Sequence, residues 1–237
     1  MYKGIYIIVS SASVKDLQMS YLARNIANVS TAGYKRAKMV FRAYNLPDNF
    51  PISTKTGIDI RGQLVTDYSH GELNYTGRNL DLAIEGDGFF VLEGGFYTRK
   101  GSFMIDPDGY LIGPEGKRVL SEGDSPISIP QGKAVEVSQD GEIFVDGASV
   151  GRLKIVDFPK PYQLQRVGDA VFVPTGGQEP VEPEVRVFQG FLESSNVKVV
   201  EELVHMVSLV RQFEAYQKLI KAFDESSSKA INEIGRI

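Results

Sequence analysis

The hydrophobic positions at both ends of the chain recur every three and four residues, which is the spacing of one face of a long helix. The first repeat runs from residue 5 to residue 29 without Gly or Pro, and the second runs from Val199 to Ile234. The predicted seam positions are Ile5, Ile8, Ala12, Met19, Leu22, Ile26 and Val29 in the first repeat, and Val199, Leu203, Met206, Val210, Phe213 and Ile220 in the second. This pattern predicts two long amphipathic helices, the first of which ends at a left-handed glycine, Gly33.

Each of these two apolar stripes, taken alone, is compatible with a helix that covers the core of its own domain. Both stripes are as narrow as a coiled-coil seam, however, and both flank a middle of different composition. These two observations favour terminal helices that pack together and leave apolar surface for neighbouring molecules. Asn25 and Asn28 lie beside the first seam, and we expect them either to fix the register of a packed layer or to face solvent.

The middle of the chain is rich in turn signals and in short β-branched runs. Asp-Gly pairs, which favour tight hairpins, occur at 87–88, 108–109, 140–141 and 146–147. The sequence therefore predicts an α+β protein: terminal helices in a coiled-coil-like layer around an antiparallel, all-β central body. The expected divisions are an N-terminal helix over 1–33, an extended connector over 34–70, a β-rich body over 71–195 and a C-terminal helix over 196–237.

Composition removes several classes of function. The chain of 237 residues has no cysteine and two histidines, which excludes disulfide scaffolds, cysteine-ligated metals and thiol nucleophiles. The net charge is −4, and a basic first segment precedes an acidic body that would repel phosphate, so we expect no nucleic-acid partner. No apolar run approaches the roughly 20 residues of a membrane-spanning helix. We read the short apolar run near the start as retained structure and not as a cleaved signal peptide.

The search for chemistry yields one weak candidate. Asp81, Glu85 and Asp87 are close in sequence and have the residue types of a glycosidase carboxylate pair. Alternation with apolar residues favours instead solvated acids near a hairpin. His70 and His205 have the contexts of a loop and a helix surface. We therefore predict no catalytic residue, no metal site and no cofactor.

Three segments in fixed order resemble one family, the flagellar basal-body rod and hook proteins. They run from Leu22 to Lys35, from Gly71 to Phe103, and from Gly190 to Glu214, so the resemblance spans nearly the whole chain. The residues that carry it are Thr31, Gly33, Tyr34 and Lys35 in the first segment, Gly77, Arg78, Leu80, Asp81, Gly88, Phe89 and Phe90 in the second, and Glu193, Ser195, Asn196 and Val197 in the third.

The resemblance implies a structural, non-enzymatic subunit that stacks helically into the periplasmic shaft carrying torque to the hook. The proximal-rod members are the most similar, and the distal-rod members are the alternative. The implied partners are other rod proteins, copies of the same chain and the flagellar type III export apparatus, without a cleaved signal peptide. Two other classes stay open from the residues: an exported β-rich enzyme acting on glycans, and a carbohydrate-binding surface protein.

Overall fold

The computed structural model describes residues 2–45, 58–130 and 134–234. The chain divides into two compact units. The helical unit comprises Met1–Ala27, Arg36–Asp67 and Val197–Ile237, and the β unit comprises Asn28–Lys35 and Tyr68–Asn196. The α+β class predicted from the sequence is confirmed, with antiparallel pairing between the strands.

The described residues of the helical unit form two α-helices and a two-stranded ribbon. Helix α1 spans Tyr2–Ala27, strands β1 and β2 span Ala37–Asn45 and Ile58–Thr66, and helix α2 spans Val199–Ile234. The helices pack against each other, and α1 also contacts β1. Glu201 and Glu202 lie in the first turn of α2, where carboxylates interact favourably with the positive end of the helix dipole.

The segment expected to be an extended connector contains a paired ribbon. Strands β1 and β2 are antiparallel over nine residues each, in a register that places Met39 opposite Leu64 and Phe41 opposite Gly62. The sequence did not reveal this pairing, because the prolines at 47 and 51 in the intervening segment suggested an unpaired chain, and local periodicity carries no information about a partner strand.

Helix α1 ends earlier than the seam pattern predicts. Its last residue is Ala27, and the next residues form a turn, so Val29 lies beyond the helix. Gly33 has the expected left-handed backbone, with φ of 67°, but it serves a turn several residues past the helix end. Helix ends depend on what packs against the last turn, which the spacing of apolar residues does not report.

Helix α2 turns a different set of residues inward from the set the sequence indicates. Leu203 and Val210 are exposed by 46% and 38%, whereas Glu202 and Leu209 are buried. The less exposed positions are Val199, Glu202, Met206, Leu209, Phe213, Tyr216, Ile220 and Phe223. The predicted seam follows steps of four then three residues from Val199, and steps of three then four fit a period of 3.6 residues equally well.

The β unit is built from fourteen short strands, β3 to β16, among its described residues. In chain order they are Leu73–Tyr75, Leu82–Glu85, Phe89–Leu92, Phe96–Thr98, Met104–Ile105, Leu111–Ile112, Val135–Val137, Glu142–Val145, Ala148–Arg152, Ile155–Val156, Leu164–Arg166, Val171–Pro174, Arg186–Gln189 and Phe191–Glu193. The largest sheet has the order β12-β5-β6-β14-β13, and a three-stranded sheet has the order β11-β10-β9. Three further pairs are β15-β4, β16-β3 and β7-β8.

Strand β5 separates the two hydrophobic cores of this unit. Phe90 and Leu92 point into the larger cluster, and Phe89 and Val91 point into a smaller aromatic cluster. Both faces of β5 are therefore buried, since successive side chains of a strand alternate between faces. The smaller cluster contains edge-to-face contacts, such as Phe89 with Phe172 at a centroid distance of 5.8 Å.

Candidate functional site

The three sequence segments that carry the family resemblance meet in one buried ion cluster of the β unit. The Lys35 Nζ lies 2.7 Å from Glu193 Oε1, and the Arg99 Nε lies 2.9 Å from Glu193 Oε2. The three side chains are at most 2% exposed. One carboxylate thus joins two cations that are 64 residues apart in sequence and come from separate segments. Buried charges of this kind require close pairing, because desolvation is costly. We call these three residues the ion cluster.

Further hydrogen bonds complete the cluster. Lys35 Nζ also donates to the carbonyl of Ser69 at 2.9 Å, and the Gly71 N–H donates to Glu193 Oε1 at 2.9 Å. Arg99 Nη1 donates to the carbonyls of Gly86 and Gly88, at 2.9 and 2.6 Å. The cluster therefore anchors the segments around Ser69 and Gly88 as well as its own members.

Surrounding charges shift the pKa values of two groups at this site. Burial raises the pKa of Glu193, but the charges of Arg99 and Lys35 and the hydrogen bonds from Lys35 and Gly71 outweigh it, so the pKa lies below its ordinary value. Burial, and then the positive charges of Arg99 and Lys35, lower the pKa of His70. The Arg99 guanidinium can only donate, so His70 Nδ1 accepts the hydrogen bond from Arg99 Nη2 at 2.7 Å.

Backbone contacts fix the same three segments. The Gly33 N–H donates to the carbonyl of Glu193 at 2.7 Å, and the Asn196 N–H donates to the carbonyl of Tyr34 at 3.4 Å. A Cβ on Gly33 would lie 2.4 Å from the carbonyl carbon of Arg99, so only glycine fits there. Tyr34 is fully buried beneath the Arg166 guanidinium, which lies 4.4 Å from its ring centroid.

A second group of family-motif residues forms a rigid turn. Arg78 binds Asp81 through two parallel hydrogen bonds, Nε to Oδ2 at 3.0 Å and Nη2 to Oδ1 at 2.6 Å. Thr76 Oγ1 donates to Asp81 Oδ2 at 2.7 Å, and the carbonyl of Gly190 accepts from the N–H groups of Thr76 and Gly77. The turn is thereby tied to the chain just before β16.

The other motif residues have structural positions. Leu80 packs against the larger core, and Gly88 lies against Ile155, whose Cγ2 would be 3.1 Å from a Cβ on the glycine. Thr31 Oγ1 donates to Asn28 Oδ1 at 3.1 Å. Ser195 is half-buried and Val197 is buried. The Asn196 amide donates to the carbonyl of Ser69 at 2.9 Å.

In the helical unit, Asn25 joins α1 to the start of β1. Its side chain is fully buried, its Nδ2 donates to the Ala37 carbonyl at 2.9 Å, and its Oδ1 accepts from the Ala37 N–H at 2.9 Å. Of the two expectations for this residue, the structure excludes a solvent-facing side chain. Asn28 is half-buried and belongs to the β unit.

A polar group also lies on the inner side of α2. Glu202 Oε1 is 4.0 Å from Arg36 Nη1, and Arg36 Nε donates to Asp67 Oδ2 at 2.9 Å. Burial, and then the charge of Glu202, raise the pKa of Tyr21 on α1. Arg36 thus gives the buried carboxylate of Glu202 a cationic partner on the inner side of the helix, where the sequence pattern predicted Leu203.

The seam positions differ in exposure. Leu22 is buried, and the other predicted positions of α1 with described side chains, Ala12, Met19, Ile26 and the adjoining Val29, are half-buried. The side chains of Ile5 and Ile8 lie outside the described part of the structure. On α2, Val199, Met206, Phe213 and Ile220 are half-buried.

The acidic residues considered for glycan chemistry have other roles. Asp81 is buried and bound by Arg78, Glu85 is exposed, and Asp87 Oδ1 lies 3.2 Å from His70 Nε2. Among the described residues, no three His, Asp or Glu side chains are grouped as metal ligands. In the same part of the chain, none of the helices has the length and apolarity of a membrane span.

Arg99 and Glu202 are the important residues that the sequence reasoning passed over. Arg99 falls within the second resembling segment, where it follows Phe96, Tyr97 and Thr98 of strand β6. An arginine that directly follows a strand of the hydrophobic core could have been singled out from the sequence. A buried guanidinium needs a carboxylate partner, so such a residue indicates a buried ion pair. Glu202 had no such signal, since its partner Arg36 is remote in sequence.

Comparison with known proteins identifies the family. A family described as "Flagellar basal body rod FlgEFG protein C-terminal" matches residues 189–233, and one described as "Flagellar hook protein FlgE/F/G D1 domain" matches residues 83–145. The flagellar basal-body rod protein FlgF of Salmonella typhimurium is 33% identical over 254 aligned residues, covering 97% of each chain. FlgF of Rhizobium meliloti is 32% identical over 99% of each chain, and FlgG of a Buchnera aphidicola strain is 28% identical over 97% of this chain and 98% of its own.

The chain belongs to the family of flagellar basal-body rod proteins. Within that family it is FlgF-like. The matched regions include most of the β unit's core and nearly all of α2. The resemblance read from three motifs is thereby confirmed over nearly the full length.

Proposed function

We propose that this chain is a structural subunit of the flagellar rod that assembles helically through its terminal helices and transmits torque towards the hook. The proximal rod is the proposed position, with the distal rod as the alternative within the same family. In this proposal α1 and α2 form a coiled-coil-like layer, the β-rich body is carried by the same chain, and no catalytic step is involved.

The distribution of apolar side chains in the helical unit carries the proposal. Among the described side chains, the buried hydrophobic residues of this unit are Leu22, Val197 and Leu209, whereas ten of its large hydrophobic residues are exposed. Those ten are Leu17, Val40, Phe41, Leu64, Val200, Leu203, Val204, Val207, Val210 and Leu219. A unit that exposes more apolar side chains than it buries gains stability by docking to neighbours.

The ion cluster supports a mechanical role. The chain passes between the two units after residues 27, 35, 67 and 196. Lys35, Ser69 and Asn196 lie at or within two residues of three of these passages, and each is hydrogen-bonded in or beside the ion cluster. Charge-assisted contacts at these places hold the β-unit ends of the connections in fixed positions, as a load-transmitting subunit requires.

We also propose a periplasmic rod location reached through the flagellar type III export apparatus. The absence of cysteine supports this route, because a chain threaded unfolded into an oxidising compartment avoids wrong disulfides. The proposed partners are copies of this chain and other rod proteins.

Basal bodies isolated from a gene-deletion strain that expresses a tagged, full-length chain test the proposal. We expect the tagged chain within the rod by electron microscopy, and we expect the strain without it to lack a complete rod and motility. The axial position of the tag separates the proximal from the distal assignment. A motile deletion strain with intact rods that never contain the chain would refute the proposal.

Substitutions in the helical unit provide a second test of the proposed function. Met206→Asp with Val210→Asp introduces charge on the inner and outer sides of α2, so we expect loss of rod incorporation. Val181→Asp, at an exposed position of the β unit, is the matched control and should incorporate normally. The thermal transition of the β unit should be unchanged in both variants.

A further inference from the structure

The first half of α2 carries a second apolar stripe on its exposed side. Val200, Val204 and Val207 are exposed by 75%, 62% and 54%. The stripe, which we call the valine ridge, consists of Val200, Leu203, Val204, Val207 and Val210. Charged residues lie at its two ends, Glu201 near the first turn and Arg211 beyond Val210.

The exposed face of α1 has the opposite shape. It consists of Ser13, Asp16, Leu17, Ser20, Ala23, Arg24 and Ala27, all of them exposed. Four of these seven side chains are Ser or Ala, so another helix can approach the backbone closely and its larger side chains can fill the spaces between turns. We call this set the small-residue face.

The spacing of the two surfaces matches when the helices run antiparallel. From Leu17 the small-residue face continues at Ser20, Ala23 and Ala27, in steps of three, three and four residues. From Val210 the valine ridge continues backwards at Val207, Val204 and Val200, in the same steps. With Leu17 opposite Val210, each small residue therefore lies opposite a valine.

The charges select the same orientation. In this antiparallel alignment Asp16 is opposite Arg211, and Arg24 is within one turn of Glu201. A parallel alignment over the same span brings Asp16 towards Glu201 and Arg24 towards Arg211, which is repulsive at both ends. Both surfaces belong to the same chain, so a second copy supplies the matching partner without any other protein.

We infer that the valine ridge of one copy docks antiparallel on the small-residue face of α1 in the next copy, with Leu17 opposite Val210. This inference rests on the proposed function, since it names the surfaces through which copies of the rod subunit contact each other. The two surfaces of the contact are different, so each copy keeps one of each available after docking. Such a contact is heterologous, and it propagates into an open helical array when successive rotations do not close into a ring.

Disulfide cross-linking tests the alignment, because the chain has no native cysteine. Two full-length forms with different tags, one carrying Ser20→Cys and the other Val207→Cys, are expressed together in the deletion strain. After oxidation of isolated basal bodies we expect a cross-linked product that carries both tags. Ser20→Cys paired with Gln217→Cys is the matched control. Gln217 is also exposed on α2 but lies ten residues away from Val207, so this pair should give no such product.

Reversing the charges of the proposed pair provides an independent test of the alignment. Asp16→Arg alone and Arg211→Asp alone should each lower incorporation into basal bodies at least tenfold, because each places like charges together. The double variant restores the attraction with its sign reversed, so incorporation should return to within twofold of the unaltered chain. Unchanged far-UV circular dichroism of the single variants shows that the loss is not due to misfolding.

The remaining outcomes contradict the inference in distinguishable ways. A Val207→Cys cross-link to a protein of another mass would show that the ridge accepts a different rod protein. Equal cross-linking in the control pair, or no rescue by the double variant, would refute the antiparallel register. If the chain is present in basal bodies but the Ser20 and Val207 cysteines do not react, the inference fails and the proposed function stands. If the chain is absent from basal bodies, both fail.

Discussion

At the scale of single residues, the ion cluster shows how charges are accommodated inside a small β unit. Lys35, Arg99 and Glu193 are all buried, and two cations share one carboxylate at 2.7 and 2.9 Å. Backbone carbonyls of Ser69, Gly86 and Gly88 accept further hydrogen bonds from the two cations. Because the carboxylate is common to both pairs, its loss leaves two buried cations without a counter-charge.

We therefore predict that Glu193→Gln lowers the free energy of unfolding by about 3–5 kcal/mol, the cost of breaking a buried ion pair. Chemical denaturation of the full-length chain at neutral pH measures it. Glu184→Gln, at an exposed position, is the control and should change stability by less than about 0.5 kcal/mol. Equal effects of the two substitutions would show that the cluster contributes no stability.

The pH dependence has a definite sign. The pKa of Glu193 is lowered in the folded state, so its contribution is fully present above the pKa of an unfolded glutamate and is lost as pH falls through the folded value. We expect the stability of the unaltered chain to decrease on acidification and the Glu193→Gln chain to show a shallower decrease. If the stability of both chains falls equally steeply on acidification, Glu193 is not the source of the pH dependence.

Gly33 permits a test that separates backbone strain from crowding. Its φ is 67° and a Cβ would meet the Arg99 carbonyl carbon at 2.4 Å, whereas Gly95 has φ of 74° and no atom within 4 Å of its Cβ position. Both Gly→Ala changes incur the left-handed penalty of about 1 kcal/mol. Thermal melting should show that Gly33→Ala is destabilised by clearly more than Gly95→Ala. Similar losses of stability in the two variants would mean that the backbone around Arg99 shifts to make room for the methyl group.

At the scale of elements, the helical unit depends on connections that no single element encodes. Helix α1 is joined to β1 by Asn25, whose amide pairs with both backbone groups of Ala37. The ribbon of β1 and β2 is defined by its nine-residue register. On α2, Glu202 lies on the inner side, with its Oε1 4.0 Å from Arg36 Nη1. Each of these contacts joins elements that are separated in sequence.

We predict that Asn25→Ala destabilises the helical unit by about 1–3 kcal/mol, because it leaves the N–H and C=O of Ala37 without their side-chain partner. Hydrogen exchange at residues 37–41 and helix melting by far-UV circular dichroism measure the effect. Gln217→Ala, at an exposed position of α2, is the control. Unaltered exchange in β1 would show that the ribbon is held without Asn25.

At the scale of the whole molecule, the two units differ in how many of their apolar side chains they bury. The β unit has two hydrophobic clusters with residues such as Phe90, Phe103 and Phe172 nearly inaccessible to solvent. Among the side chains that the structure describes, the helical unit exposes ten large hydrophobic residues. We therefore expect the helical unit, which is the one proposed to bind neighbours, to be the less stable of the two.

We predict that hydrogen exchange in the isolated full-length chain is fast in α1 and α2 and slow in β5 and β14. Incorporation into the rod should slow exchange in the helices by at least a hundredfold, because the docked surfaces become buried and helix opening is suppressed. The β5 amides serve as the internal control and should change little. Equal protection of helices and strands in the isolated chain would contradict the proposed coupling of assembly to helix stability.

The sequence alone determined the features that depend on local periodicity and turn chemistry. Asp-Gly pairs lie between β7 and β8, between β9 and β10 and between β10 and β11, with Gly109, Gly141 and Gly147 at positive φ. The pair at 87–88 instead connects strands of different sheets, β4 and β5. The family motifs were also readable, because they are contiguous runs of residues.

Only the tertiary structure decided which residues meet. The sequence gives no reason for Lys35, Arg99 and Glu193 to share one site, since long-range pairing depends on strand order and not on spacing. On α2 the sequence predicted an inward face with Leu203 and Val210, whereas the structure buries Glu202, whose Oε1 lies 4.0 Å from Arg36 Nη1. In the described part of the chain α1 is the helix that packs against α2, and the remaining apolar face of α2 is the surface that we propose binds another molecule.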